Sequence, residues 1–173
     1  RYLICETSQH ERFKEHAINA ESFEELERSA AQLPPGNLGV RRRQLDHFYI
    51  IYTSGSTGQP KGALVCDGNI SNLLSWYSSE YQFNANDRHL LVSAIGFDLT
   101  QKNIYSPLAT GGTLVIPDFE QFDSTLLGQI IKKQQVTVIN GAPSMLYPLL
   151  ENDPGRLKSL RLVLFGGERV ELA

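Results

Sequence analysis

The sequence predicts an α/β fold, a mostly parallel sheet flanked by helices on both faces. Three observations lead there. From about residue 60 onward, apolar runs of strand length alternate with longer stretches of helical periodicity. The loops after those runs hold Gly, Asp and Asn, at the end where parallel sheets bind ligands. The chain of 173 residues is 41% apolar with net charge −3, enough for one domain with a real core.

Taken in order, Tyr2-Leu3-Ile4-Cys5 reads as a short strand. Ser22-Phe23-Glu24-Glu25 is a capping box, and Phe23, Leu26 and Ala30 continue one helical face until Pro34-Pro35-Gly36-Asn37 stops it. The polar span 36–46 reads as a surface connection. Phe48-Tyr49-Ile50-Ile51-Tyr52 reads as a buried strand, and Gly62–Cys66 as a second apolar segment. Asn69 caps a helix to about Tyr81, with Trp76 as a packing aromatic. A strand follows at 88–92, a helix at 99–109, and a strand at 113–116 after Gly111-Gly112. Asp123-Ser124 opens a helix to about Gln135. Strand 136–139, helix 143–150 and strand 160–165 complete the order, with Asn140 just past one strand end and Gly166-Gly167-Glu168 past the last.

Composition excludes several functions. The only basic cluster, Arg41-Arg42-Arg43, reads as a solvated turn, so no nucleic-acid partner is expected. No apolar run approaches the ~18 residues of a membrane span, and no secretory leader is visible. Cys5 and Cys66 read as reduced and buried, which places the protein in the cytoplasm. His10, His16, His47 and His89 lack metal-site spacing and read as surface or capping residues, so no protein metal site is expected. Ser144 lacks the context of a hydrolase nucleophile.

The densest chemistry lies between Tyr52 and Gly62. Thr53, Ser54, Ser56 and Thr57 supply hydroxyls, Gly55 and Gly58 let the backbone turn and approach a ligand, and Lys61 supplies a point charge. Such a set suits a triphosphate or pyrophosphate. The spacing is neither a Walker loop nor G-x-G-x-x-G, and by composition alone the segment reads equally as a surface loop. The full run Y-T-S-G-S-T-G-Q-P-K-G closely resembles the phosphate loop of the adenylate-forming superfamily, which includes the adenylation domains of nonribosomal peptide synthetases and the acyl-CoA ligases.

Two further segments strengthen the resemblance. Phe97-Asp98-Leu99-Thr100 is similar to the F-D-x-[ST] motif of synthetase adenylation domains, which implies that Asp98 binds the substrate α-ammonium. A partly desolvated carboxylate suits that task. By itself, Asp98 reads as a helix cap. Gly166-Gly167-Glu168 resembles the adenine-binding turn. The resemblance further places Asp98, Leu99, Lys102, Asn140, Leu164 and Gly166 in the substrate pocket. A lysine there favours an acidic or amide side chain, unless Lys102 points away along its helix. Asp67 departs from the histidine common at its position.

The resemblance implies an AMP-forming ligase. The substrate carboxylate attacks the α-phosphorus of ATP to give an aminoacyl-adenylate and pyrophosphate, and the phosphopantetheine thiol of a carrier domain then takes the aminoacyl group and releases AMP. Thr53, Thr57 and Lys61 take the catalytic part at the phosphates, with Mg2+ bridging phosphate oxygens. Residues 1–173 are expected to be part of the N-terminal ATP- and substrate-binding subdomain, with an earlier segment and a C-terminal subdomain lying outside them. The chain alone is expected to be inactive. Its partners would be the amino acid, the carrier domain and neighbouring synthetase domains. An acyl-CoA or aryl-acid ligase, or a nucleotide-binding module without catalysis, remains the alternative.

Overall fold

The computed structural model describes residues 2–14, 19–55, 58–118, 123–152 and 154–170. The chain divides into two compact units, Arg1–Arg41 and Arg42–Ala173. In the first, strand β1 (Tyr2–Cys5) leads to helix α1 (Thr7–Lys14) and strand β2 (Asn19–Ser22), which pairs with β1 in parallel. Helix α2 (Phe23–Ala30) starts where the sequence places it: Ser22 Oγ accepts the Glu25 N–H at 3.1 Å. Both α1 and β2 are absent from the sequence prediction. Thr7–Lys14 has no apolar stripe, and Asn19-Ala20-Glu21-Ser22 has no apolar run. β2 is a strand because β1 offers it a ladder.

The second unit begins with strands β3 (His47–Thr53) and β4 (Lys61–Cys66), paired antiparallel. The expectation that β3 is buried is overturned: Ile50 is 56% and Tyr52 69% exposed. From Tyr49 to Tyr52 the ribbon alternates, with Tyr49 and Ile51 half-buried and Ile50 and Tyr52 turned to solvent, while Phe48 packs on Tyr105. Helix α3 (Asp67–Glu80) starts two residues before the predicted cap. Asn69 works from inside the first turn, its Oδ1 accepting the Cys66 N–H at 3.2 Å. The carbonyls of Asp46 and Gln44 take the Asp67 and Gly68 N–H groups, both at 2.9 Å. Arg42 ties this turn down through the Asp67 carboxylate and the Phe48 ring.

Beyond α3 come β5 (Arg88–Leu90), α4 (Asp98–Thr110), β6 (Thr113–Val115), α5 (Ser124–Gln134), β7 (Val138–Gly141), α6 (Pro143–Asn152), a 3-10 turn (Pro154–Leu157) and β8 (Leu162–Phe165). The four strands form one parallel sheet in the order β6-β5-β7-β8. Neighbouring β7 residues serve opposite faces. Ile139 joins Leu127 and Ile131 of α5 and Leu146 and Leu149 of α6, while Val138 joins Tyr77 of α3 and Phe83. The sheet is therefore covered on both sides, as predicted.

β7 begins two residues later than the sequence suggests. The Val136 N–H is spent on the Ile131 carbonyl at 3.1 Å, closing α5, and Thr137 bridges to Arg88. Asn140 is thus inside the strand rather than beyond it. Two smaller expectations also change. His89 is buried, 3% exposed, against the Phe83 ring at 4.5 Å. Cys5 and Cys66 are free but only half-buried. Trp76 packs its edge on Tyr81 and stays half-exposed. His16 lies outside the described residues.

At the amino-terminal edge of the sheet, Asp87 is 3% exposed and holds three elements together. Arg161 reaches both its oxygens at 2.7 Å, and Thr137 Oγ1 donates at 2.8 Å. Burial opposes the charged form, but these bonds and the Asn84 N–H outweigh it and hold the carboxyl at about 2.

Candidate functional site

At the opposite edge of the sheet lie the start of α4 and the turn that follows β8. After β5 the chain passes through 91–97 into α4, and Thr100 Oγ1 lies 2.7 Å from both Ser93 Oγ and the Ala94 carbonyl. Gln101 Nε2 donates to the Ile95 carbonyl at 3.1 Å. These bonds fix the turn that presents Asp98 as the first residue of α4, with Phe97 at the cap position. Asp98 Oδ1 accepts the Leu99 N–H at 2.7 Å, and the helix dipole favours its negative charge.

Two cavities meet around Leu99 and Gly166. One, of about 400 Å³, is lined by Tyr49, Leu73, Asp98, Leu99, Lys102 and the Gly166-Gly167 turn. The other, of about 280 Å³, has Asp98, Leu99, Met145 and Gly166 to Glu168 among its walls. A β-carbon on Gly166 would stand 3.3 Å from Leu99 Cδ1, so a larger residue there would press on the partition between them. Asp98, Leu99, Lys102, Gly166 and Gly167 therefore share the larger cavity, and Glu168 borders the smaller.

Lys102 lies one turn after Asp98 on the same face of α4. Burial pushes its ammonium below the usual lysine range, while the Asp98 charge works the other way. Its Nζ sits 5.0 Å over the Tyr77 ring. Burial, then the Asp98 charge, pushes the Tyr49 phenol up.

Asn140 and Leu164 lie beneath these walls. Asn140 is 3% exposed and donates to Tyr77 Oη at 3.1 Å and to Asn103 Oδ1 at 2.8 Å. Leu164 packs against the Tyr77, Phe83 and Val138 cluster. The Glu168 carboxylate accepts from the Ser144 N–H at 3.0 Å and from Ser144 Oγ at 2.9 Å, capping α6.

The glycine-rich segment closes the β3–β4 ribbon, with Thr53 directly opposite Lys61 and both exposed. Ser54 is exposed, and Gly55 and Gly58 take φ of +65° and +79°. Ser56 and Thr57 lie outside the described residues. Thr53 follows Tyr49 by four strand positions, about 13 Å at ~3.3 Å per residue. The ribbon thus delivers the loop one short strand length from a wall residue of the larger cavity, although the described loop residues line neither cavity.

Tyr49, Leu73, Tyr77 and Met145 are the residues that sequence reasoning missed. Each carries only a core signal in the sequence. Among the described residues, no group of three or more His, Cys, Asp or Glu is placed to hold a metal ion. No helix among them is long and apolar enough to cross a membrane.

The model of the AMP-binding enzyme family matches residues 4–173. The chain belongs to the AMP-binding enzyme family. This AMP-binding chain is 36% identical over 143 residues to tyrocidine synthase 3 of Brevibacillus parabrevis, covering 78% of this chain and 2% of that protein. It is 37% identical over 126 residues to the dimodular nonribosomal peptide synthase of Bacillus subtilis (strain 168), covering 72% and 5%. The AMP-binding chain therefore spans only a few per cent of the length of these relatives. Its fold matches the N-terminal subdomain of Klebsiella oxytoca NpsA, solved in complex with 3-hydroxyanthranilyl-AMSN. That match has a TM-score of 0.81 and 26% identity, covering 97% of this chain and 41% of the other.

Proposed function

We propose that this chain is part of the ATP- and substrate-binding subdomain of an adenylation domain. It would activate an amino acid as its aminoacyl-adenylate for transfer to the phosphopantetheine thiol of a carrier domain, in concert with neighbouring synthetase domains. The observation that carries the reading is the larger cavity, in which a carboxylate, Asp98, opens a helix beside the Gly166-Gly167 turn. In this reading Asp98 accepts the substrate ammonium, and Leu99, Lys102 and Gly166 shape the space around the side chain. Asn140 and Leu164 brace that wall from below.

ATP supplies the α-phosphorus that the substrate carboxylate attacks. Thr53, Ser54, the loop N–H groups and Lys61 would offset the phosphate charge, and Ser56 and Thr57 belong to the same proposed set. The exposed, glycine-turned end of the ribbon suits a polyanion, because its hydroxyls and lysine face solvent rather than the core. Mg2+ would be held chiefly through phosphate oxygens. Gly166, Gly167 and Glu168 would meet the adenine. Glu168 would do so as a fixed turn, since its carboxylate is engaged at α6.

The test is amino-acid-dependent ATP–pyrophosphate exchange in the full-length protein. One amino acid should support exchange, and Asp98→Ala should lower kcat/KM for it by about 10- to 100-fold, the worth of a charged hydrogen bond. Exchange driven only by acids without an amine, and untouched by Asp98→Ala, would transfer the chain to the acyl-CoA and aryl-acid ligases. ATP binding without exchange for any acid would make it a nucleotide-binding module.

A further inference from the structure

We propose that Tyr77 is a positioning residue that holds the Lys102 ammonium at the cavity wall, and that the cavity accordingly takes an amino acid with a carboxylate side chain. This rests on the reading of that cavity as an amino-acid site.

Lys102 faces the cavity and makes no salt bridge among the described residues. What it has instead is the Tyr77 ring, 5.0 Å from Nζ. That ring is 2% exposed. Tyr81 and Phe83 meet it edge-on at 5.2 and 5.0 Å. Its hydroxyl accepts from Asn140 Nδ2 at 3.1 Å, and Asn140 is held in turn by Asn103, whose Nδ2 donates to the Asn140 carbonyl at 3.1 Å. A flexible lysine stem over a buried, packed aromatic face is restricted in where its charge can go.

The charges then decide the ligand. Asp98 and Lys102 stand one helical turn apart, about 6 Å along the axis, and both line the cavity. In the proposed reaction the substrate ammonium goes to Asp98, and its α-carboxylate is the reacting group. Lys102 remains, half-buried and without an anion. A neutral side chain would leave that desolvated cation unpaired, which is costly, whereas a side-chain carboxylate would close the second pair.

The experiment is pyrophosphate exchange in the full-length protein with aspartate, glutamate, asparagine, glutamine, leucine and methionine. The acids should be preferred over their amides by about 10-fold or more. Lys102→Met should abolish that preference and improve the neutral substrates. Tyr77→Leu should raise KM for the acid by about 10-fold and narrow its preference over the neutral substrates. Tyr77→Phe, which keeps the ring and the packing, should keep the preference, so a misfolded Leu variant does not remove the test. A preference for an amide or a neutral side chain overturns the inference while leaving amino-acid activation standing. An equal loss for every amino acid in Lys102→Met also overturns it, because Lys102 would then serve the α-carboxylate. Exchange with no amino acid overturns the underlying reading instead.

Discussion

Gly55 has φ +65°, and a β-carbon there would collide with the Gln59 carbonyl oxygen. Gly58 has φ +79° but open space where its β-carbon would go. The two glycines of one loop thus face different constraints. Gly58→Ala should cost about 1 kcal/mol of left-handed strain. Gly55→Ala must also move the Gln59 backbone, so the loop should rearrange. In the full-length protein ATP affinity should fall at least about 10-fold more for Gly55→Ala than for Gly58→Ala. Equilibrium titration with ATP measures the difference, with circular dichroism checking that the fold persists. Asp98 and Lys102 were named from the sequence only through the F-D-x-[ST] resemblance, and both line the larger cavity. Tyr49 and Tyr77 were not legible. Each reaches the site from an element far away in sequence, and each lies in an apolar run that reads as core.

Among elements, the clamp at the amino-terminal edge makes the sharpest forecast. Arg161 binds both Asp87 oxygens and also donates to the Tyr81 carbonyl at 3.1 Å. Arg161→Leu would leave a buried carboxylate without its cation. The loss should be about 2–3 kcal/mol, below the full value for a buried pair because the Arg161 side chain is 39% exposed. Urea unfolding measures it, and Asp87→Asn in the same chain should recover part of it. This clamp also explains why element boundaries were harder to read than element types. Thr137 carries a strand-like signature, yet its hydroxyl donates to Asp87 and accepts the Arg88 N–H, and the ladder of β7 starts only at Val138. A β-branched residue in a linker looks like a strand until its partners are known. α2, by contrast, starts where its cap says, because Ser22 and Glu25 settle the matter locally.

For the molecule as a whole, acid is the natural probe of the second unit. Burial holds the His89 imidazole down, from its ordinary 6.5 to about 4, with Asp87 opposing and Arg161 adding to the effect. The folded state therefore binds this proton less readily than the unfolded state. Stability from the neutral ring is complete above pH 6.5 and is lost as pH falls toward 4. Asp87, held at about 2, adds its own loss only below 3.8. Between pH 7 and pH 5 the unfolding free energy should drop by about 2 kcal/mol through His89. Urea unfolding at both values tests this, and His89→Phe should flatten the difference. The alternation of apolar runs and helical stretches was enough to foresee the parallel sheet with both faces covered. It could not reveal the exposed ribbon of β3 and β4, because the pattern of five apolar residues is the same whether one side or two are shielded. One consequence follows from where Asn140, Tyr77 and Lys102 sit. Strand β7 and helices α3 and α4 supply them, so the wall they make rests on regular elements and not on a loop. Retooling it for a different molecule is a matter of exchanging side groups at fixed addresses, and the route of the main chain can stay as it is.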